Sequence, residues 1–310
     1  MPDASLQDGF DRLRNARATA PDSISSTLSG RTRRKLLRGD GRLFIVAADH
    51  PGRGALGIGS RELAMGDRYD LLGRLAQALR NPGVDGVLGT ADILEDLAML
   101  GLLEDRIAVG SMNRGGLRGA RFELDDRYTA YTIPRIVEDG LDAAKALVRI
   151  DLDDPGTADT LSATADAVSQ AASARVPILL EPFLSRRESG AVVNDLTPDA
   201  VIRSVAIASA LGSSSAYTWL KLPVVDDMAR VMTSTTLPTL LLGGDGDGRP
   251  DEMFESWDAA LRLPGVRGLM VGRTLLYPPD DDVDRAVDIA ARLVHPYPSP
   301  DPASGDRSSR

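Results

Sequence analysis

Between residues 42 and 294 the chain alternates short apolar runs with amphipathic stretches, eight times over. This rhythm restricts the possible folds more than any other feature. The runs are Arg42–Asp49, Asp85–Gly89, Arg106–Ser111, Ala144–Leu152, Pro177–Phe183, Tyr217–Pro223, Thr239–Gly243 and Val266–Gly272. Several are continuously apolar, as expected of strands covered by protein on both faces. Helical patterns intervene at 69–80, 92–101, 133–140, 157–173, 198–211, 226–233, 250–262 and 281–294. Asp92, Thr197-Pro198 and Arg249-Pro250 supply start signals. Eight strand–helix units in one chain predict an α/β protein, a (β/α)8 TIM barrel spanning 42–294. An open doubly wound sheet is the alternative, and its dinucleotide fingerprint is absent.

Connection lengths support the barrel. Helix-to-strand links such as Asn81–Val84, Ala174–Val176 and Leu263–Gly265 are short, whereas the strand-to-helix links 50–68, 112–132 and 184–196 are long. In a parallel barrel all strand-to-helix loops emerge on one face, the face that carries function. Residues 1–41 form an N-terminal extension or cap, with a helix around Leu6–Ala18 and a short basic helix over 31–39. There Arg31–Lys35 reads as a solvated face. Residues 295–310, rich in Pro, Ser and Asp, are expected to be a disordered tail.

A net charge of −9 without a compensating basic cluster argues against nucleic acid. Cysteine is absent and there are two histidines, which leaves little for a thiol nucleophile, a Ser-His-Asp triad or a His-rich metal site. We expect no metal and no cofactor. Neither a membrane span nor a signal peptide is evident, so a cytoplasmic, homo-oligomeric protein is expected.

Lysine usage then points to chemistry. Only Lys35, Lys145 and Lys221 occur among 36 basic side chains. Lys145 and Lys221 both lie in apolar strand runs, where an amine that is easily deprotonated can act as a nucleophile in a way arginine cannot. Strand alternation puts Lys145 and Arg149 on one side of the fourth strand, Glu181 on one side of the fifth and Lys221 on one side of the sixth. If those sides face inward, the four converge. The other reading is a buried ion-pair network or an edge-strand lysine reaching solvent. Asp49 and His50 close strand one at the functional face, Asp49 as a candidate acid/base and His50 as a candidate substrate contact. Asn113 and Arg114 are candidate contacts from the third loop. Gly243 and Gly244 after strand seven, and Gly272 with Arg273 after strand eight, match the place where barrels bind phosphate through bare N–H groups.

In this order, Asp49-His50, Asp142-Ala-Ala-Lys145, Leu180-Glu181-Pro182, Leu220-Lys221-Leu-Pro223, Gly243-Gly244 and Gly272-Arg273 resemble a known superfamily. It comprises the Schiff-base (class I) aldolases of the DhnA/archaeal-type fructose-bisphosphate, tagatose-bisphosphate and deoxyribose-phosphate groups. The resemblance covers residues 42–294. It implies that Lys221 forms the Schiff base, that Lys145, Glu181 and Asp49 assist, and that the glycine stretches hold the phosphate of a small substrate. The 50–68 loop and Ser111–Arg121 depart from those branches. The sequence looks more like an actinobacterial deoxyribose-phosphate aldolase-like group linked to inositol catabolism. That implies cleavage of 2-deoxy-5-keto-gluconate 6-phosphate to dihydroxyacetone phosphate and malonate semialdehyde. Deoxyribose phosphate, fructose or tagatose bisphosphate and sulfofructose phosphate are the alternative substrates. A non-catalytic sugar-phosphate-binding barrel is the alternative of a different class.

Overall fold

The structure, a computed structural model, describes residues 4–113, 116–243 and 249–296. Its strands are β1 (Leu43–Ala47), β2 (Gly86–Gly89), β3 (Ile107–Ser111), β4 (Ala143–Ile150), β5 (Ile178–Glu188), β6 (Ala191–Asn194), β7 (Thr218–Pro223), β8 (Thr239–Leu242) and β9 (Val266–Val271). Its helices are α1 (Ala4–Thr19), α2 (Asp22–Gly30), α3 (Arg68–Leu79), α4 (Ala91–Met99), α5 (Ile133–Glu138), α6 (Gly156–Ala174), α7 (Pro198–Ser209), α8 (Met228–Met232), α9 (Pro250–Leu261), α10 (Arg273–Leu276) and α11 (Val283–Val294). Eight strands pair in parallel in the order β4-β3-β2-β1-β9-β8-β7-β5, and a β4–β5 pairing closes the ring. The expected (β/α)8 barrel is therefore the fold. The 184–196 connection is not a plain loop: β5 runs on past the barrel and folds back through β6 as an antiparallel hairpin. None of the described helices is long and apolar enough to cross a membrane.

The strand period sorts side chains into two apolar sets. Phe44, Val46, Val87, Ala108, Ala144, Ala146, Leu180, Leu220 and Leu222 point outward into a continuous core with the surrounding helices. Leu43, Ile45, Ala47, Leu88, Ile107, Val109, Ala143, Leu179, Leu240 and Met270 fill the barrel interior. Ala143 and Leu179 share parity with Lys145 and Glu181, and Trp219, packed on this inner set, shares parity with Lys221. The inner faces of β4, β5 and β7 thus carry apolar residues low in the barrel and ionisable ones above them. Several helices begin at side-chain caps, Asp67 on α3, Thr132 on α5 and Thr197 on α7, each accepting first-turn N–H groups. At α4 the cap position is Thr90, and Asp92 sits in the first turn instead.

The N-terminal region divides in two. Helices α1 and α2 lie on the flank, where Phe10 packs against Tyr69 and Arg17 pairs with Asp96. The expected basic helix over 31–39 does not form; those residues run as extended chain and turns across the N-terminal ends of the strands. The reason is pairing with buried acids rather than solvation. Arg31 bonds Asp142 and the Gly140 carbonyl, while Arg34 and Arg38 both reach Asp85. Leu36 and Leu37 pack against the interior set and plug the barrel bottom.

Asp85 is fully buried and also accepts from the Phe44 N–H and from His295 Nε2, at 2.6 and 3.0 Å. His295 Nδ1 lies 2.5 Å from Asp40 Oδ2. His295 is therefore docked, not part of a loose tail, and the remaining tail residues 297–310 lie outside the described residues. Burial opposes its protonation, but the hydrogen bonds to Asp85 and Asp40 win and raise its pKa above 6.5. A raised histidine stabilises the fold fully below its unfolded pKa and loses that contribution as pH climbs through the folded value. His295→Gln should thus cost about 1 kcal/mol, roughly 2 °C in Tm, at pH 6, with the gap shrinking toward pH 9. Thermal melts at both pH values check this, and an equal gap at each would contradict it.

Candidate active site

The inward parity of three adjacent strands brings Lys145, Glu181 and Lys221 together. Glu181 bridges the amines: its Oε2 lies 2.6 Å from Lys145 Nζ and its Oε1 lies 3.1 Å from Lys221 Nζ. Asp49, just past the end of β1, takes Lys145 from the other side at 3.0 Å and accepts from Ser111 Oγ at 3.0 Å. All four ionisable groups are buried. The apolar plug beneath them keeps out water from below.

The two amines are unequal. Lys145 contacts two carboxylates and Lys221 contacts one. Burial alone disfavours both ammonium ions. At Lys145 Asp49 and Glu181 outweigh burial, and its pKa is raised. At Lys221 burial dominates, Glu181 opposes it, the Lys145 charge adds to it, and the pKa falls. Burial pushes Glu181 up, but the two lysines prevail and hold it at about 2. Asp49 is likewise kept ionised, chiefly by Lys145 against the cost of burial. The arrangement is a fixed ammonium, two carboxylates and an amine that loses its proton more readily than its neighbour.

Above these groups a cavity of about 660 Å³ opens among the strand C-terminal ends. Lys221 and Glu181 line it; Lys145 does not. Its walls include Leu147, Phe183 and Leu242, a small apolar cluster of their own, with Val192 and Asn194 from the hairpin. Gly243, Gly272 and Arg273 form the side just past the ends of β8 and β9. A Cβ on Gly272 would lie 2.1 Å from the Ala47 carbonyl oxygen, and one on Gly243 would lie 2.5 Å from Val271 Cγ1. Both positions therefore require glycine. Arg273 opens the short helix α10 and reaches the Gly57 carbonyl at 3.4 Å. A larger cavity, about 830 Å³, lies outside this centre between α9, α11 and residues 58–61, and neither lysine lines it.

Other candidates fare differently. His50 lines the cavity, and burial first, then Arg273, Lys221 and Arg53 against Asp49, holds its pKa at about 3, so the ring is neutral. Its Nδ1 is buried without a hydrogen-bond partner among the described residues. Asn113 is corrected: its amide is used up on β4, donating to the Leu147 carbonyl at 2.7 Å and accepting the Leu147 N–H at 3.0 Å, and it does not line the cavity. Arg149 borders the cavity, yet its guanidinium does not join the lysines, because Asp126 and Glu123 hold it at 2.9 and 3.2 Å. Arg114 and Gly244 lie outside the described residues. Four contributors carry little signal in the sequence. Ser111 ends β3 beside Asp49, while Glu123 and Asp126 sit in a loop whose only sequence signal is its length. Arg53, in the short turn His50–Arg53, also lines the cavity.

Residues 41–291 match the Cgl0159-like family. The chain belongs to that family. It is similar to the crystal structure of Cgl0159 from Corynebacterium glutamicum, with 63% identity, TM-score 0.92, and coverage of 93% of this chain and 97% of that one. It shares its fold with an archaeal fructose 1,6-bisphosphate aldolase whose catalytic lysine carries a carbinolamine intermediate, at 18% identity and TM-score 0.62 over 87% and 99% of the two chains. A fructose-bisphosphate aldolase from Slackia heliotrinireducens is similar at 15% identity and TM-score 0.59, over 96% and 91%. No curated protein sequence matches the chain.

The charge pattern makes two predictions of opposite sign. Lys145→Met removes a neighbouring positive charge, so the pH profile for labelling Lys221 with an amine reagent should move upward. Glu181→Gln removes the carboxylate that supports the Lys221 ammonium, so the profile should move downward. Displacements of about one pH unit correspond to about 1.4 kcal/mol. Peptide mapping across a pH series measures both, and a common direction would refute the assignment of charges.

Proposed function

We propose that this protein is a class I aldolase that makes or breaks a carbon–carbon bond next to the ketone of a phosphorylated substrate, with Lys221 as the Schiff-base residue. The observation that carries this reading is the asymmetry of the lysines. Lys221 lines the cavity with a lowered pKa, while Lys145 lies beneath it as an ion-paired ammonium. A buried network serving stability alone would have no need to expose one amine to an open cavity.

In this reading neutral Lys221 attacks the ketone carbon to give a carbinolamine, which loses water to form an iminium. As the adjacent C–C bond breaks, its electron pair flows into the iminium and gives an enamine, while the hydroxyl on the departing carbon loses its proton. Protonation of the enamine and addition of water then release the second product and free Lys221. Glu181 touches both amines and is placed to move the protons of carbinolamine formation and dehydration. In this reading Glu181, the carboxylate that lines the cavity, also takes the proton of the cleaved hydroxyl and returns it to the enamine, while Asp49 keeps Lys145 as its ammonium beneath. Gly243, Gly272 and Arg273 favour a phosphate through backbone N–H groups and a guanidinium. His50, neutral, can hydrogen-bond a substrate hydroxyl.

The substrate we favour is a phosphorylated keto-sugar or keto-sugar acid, with 6-phospho-5-dehydro-2-deoxygluconate of inositol catabolism as the first compound to try. Work in the cytoplasm and assembly as a homo-oligomer are parts of the same proposal. Lys221→Arg keeps a positive charge but cannot form an iminium. Turnover should therefore fall by at least roughly 10³-fold while the circular dichroism spectrum is unchanged. Borohydride reduction with a panel of keto-phosphates, read by intact mass and peptide mapping, should mark Lys221 in the parent protein only. An adduct on Lys145, or none with any ketone, would reject the assignment. Arg273→Ala should raise KM for a phosphorylated substrate by roughly 10- to 100-fold, with a smaller change in kcat. An unchanged KM would remove Arg273 from the phosphate site.

A further inference from the structure

The cavity of about 830 Å³ between α9, α11 and residues 58–61 has no part in the chemistry described so far. Small-molecule sites span roughly 300–1,000 Å³, so its size is that of a ligand pocket. Among the described residues it shares only Met253 and Arg273 with the cavity that Lys221 lines. Its wall is largely apolar, with Ile58 from the turn after β1, Met253 and Phe254 from α9, and Ala286 and Ile289 one helical turn apart on α11. Ile289 is half-buried yet joins none of the apolar clusters of the core. Phe254 meets Trp257 edge-on, with ring centroids 5.4 Å apart, which restrains this part of the wall. Pro278 and Pro279, also in the wall, have little backbone freedom to lose when a ligand settles.

The charges around this wall are unequal. Asp280 is held by Arg285 at 3.3 Å and Asp281 by Arg74 at 2.7 Å, while the lining Arg249 pairs with Glu252 at 2.7 Å. Asp251 is exposed in the first turn of α9, where the helix dipole already favours a carboxylate. Arg61 differs. Among the described residues no carboxylate lies within 4.0 Å of its guanidinium, which stands over the Tyr277 ring with its central carbon 5.6 Å from the centroid. Arg74 first, and Arg61 after it, lower the pKa of Asp281, so that acid is already claimed. A guanidinium stacked on a ring keeps the N–H groups at the edge of its fork available. The backbone sets it in place: Ile58 and Arg61 exchange N–H···O bonds of 2.9 and 3.0 Å around a turn in which Gly59 has a φ of 55°. One braced turn therefore presents an apolar side chain and a cation to the same cavity.

We propose that this outer cavity is a second ligand site, taking a small molecule with an apolar body and a single anionic group. The body lies against Ile58, Met253, Phe254 and Ile289, and the anion pairs with Arg61. Carboxylate, sulfonate and phosphate groups all suit a guanidinium fork. Neither lysine lines this cavity, so the proposal does not depend on the aldolase reading.

Fluorescence titration of the parent protein with anilinonaphthalenesulfonate, and with its uncharged analogue phenylnaphthylamine, separates the body from the charge. The sulfonate should bind at least roughly tenfold more tightly than the amine. Arg61→Gln should weaken the sulfonate by roughly tenfold and the amine by less than about twofold. Phe254→Ala and Ile289→Asp alter the apolar wall from two helices. Each should weaken both probes by at least roughly fivefold, with thermal melts confirming that the variants are folded. None of these three residues lines the catalytic cavity, so the losses locate the probe in the outer one. Absence of sulfonate binding, equal affinity for the two probes, an unchanged sulfonate affinity in Arg61→Gln, or unchanged affinities in both wall variants would overturn the proposal. Failure of borohydride to trap a ketone on Lys221 would instead remove the Schiff-base chemistry and leave this result standing.

Discussion

One carboxylate shared by two buried amines sets the character of this molecule. Without Glu181, Lys145 and Lys221 would be two positive charges in one enclosure, and the easiest relief would be loss of both protons. With it, and with Asp49 committed to Lys145, the proton has a preferred owner. The asymmetry comes from strand position. Lys145 sits low on β4, where carboxylates from both β1 and β5 can reach it, whereas Lys221 is on β7, with Glu181 on one side and the apolar chain of β8 on the other. Desolvation then acts on Lys221 with a single carboxylate in contact to oppose it and Asp49 acting from farther off. The same geometry leaves Lys221 at the cavity and Lys145 below it.

The barrel keeps this arrangement apart from a second set of buried charges. At the N-terminal ends of the strands Arg31, Arg34, Arg38 and His295 neutralise Asp142 and Asp85. Between the two charged layers lies the apolar interior of Leu43, Ile45, Ile107, Val109, Leu179 and Leu240. The lower layer binds chain segments that are remote in sequence and leaves its acids paired. The upper layer faces an open cavity, and there, among the described residues, the Nδ1 of His50 is buried without a hydrogen-bond partner. Acids that tie remote chain segments together at the bottom, and an amine that lines a cavity at the top, fit a barrel in which one end maintains the fold and the other receives ligands.

This division explains what the sequence disclosed. Continuous apolar runs and the one-sided loop lengths were sufficient for the barrel, because burial on both faces of a parallel strand leaves a direct trace in composition. The inward parity of Lys145, Glu181 and Lys221 was legible for the same reason: strand alternation is a rigid rule. Errors arose where a side chain's partner comes from a distant loop. The basic run 31–38 looked like a solvated helix because Asp85 and Asp142 are more than 45 residues away and their burial is invisible locally. Arg149 has the right parity for the site, but its charge is captured by Glu123 and Asp126 from the loop after β3. Asn113 was expected to meet a ligand, and it meets the backbone of β4 instead.

The same reasoning bears on why arginine so outnumbers lysine here. A guanidinium can satisfy several carboxylate and carbonyl oxygens at once, and Arg31, Arg38 and Arg149 each do so across separate segments. An ammonium makes a poorer clamp, but it can give up its proton. If arginine provides the clamps, lysine is needed only where a proton must move, and the two lysines in the barrel stand on either side of Glu181.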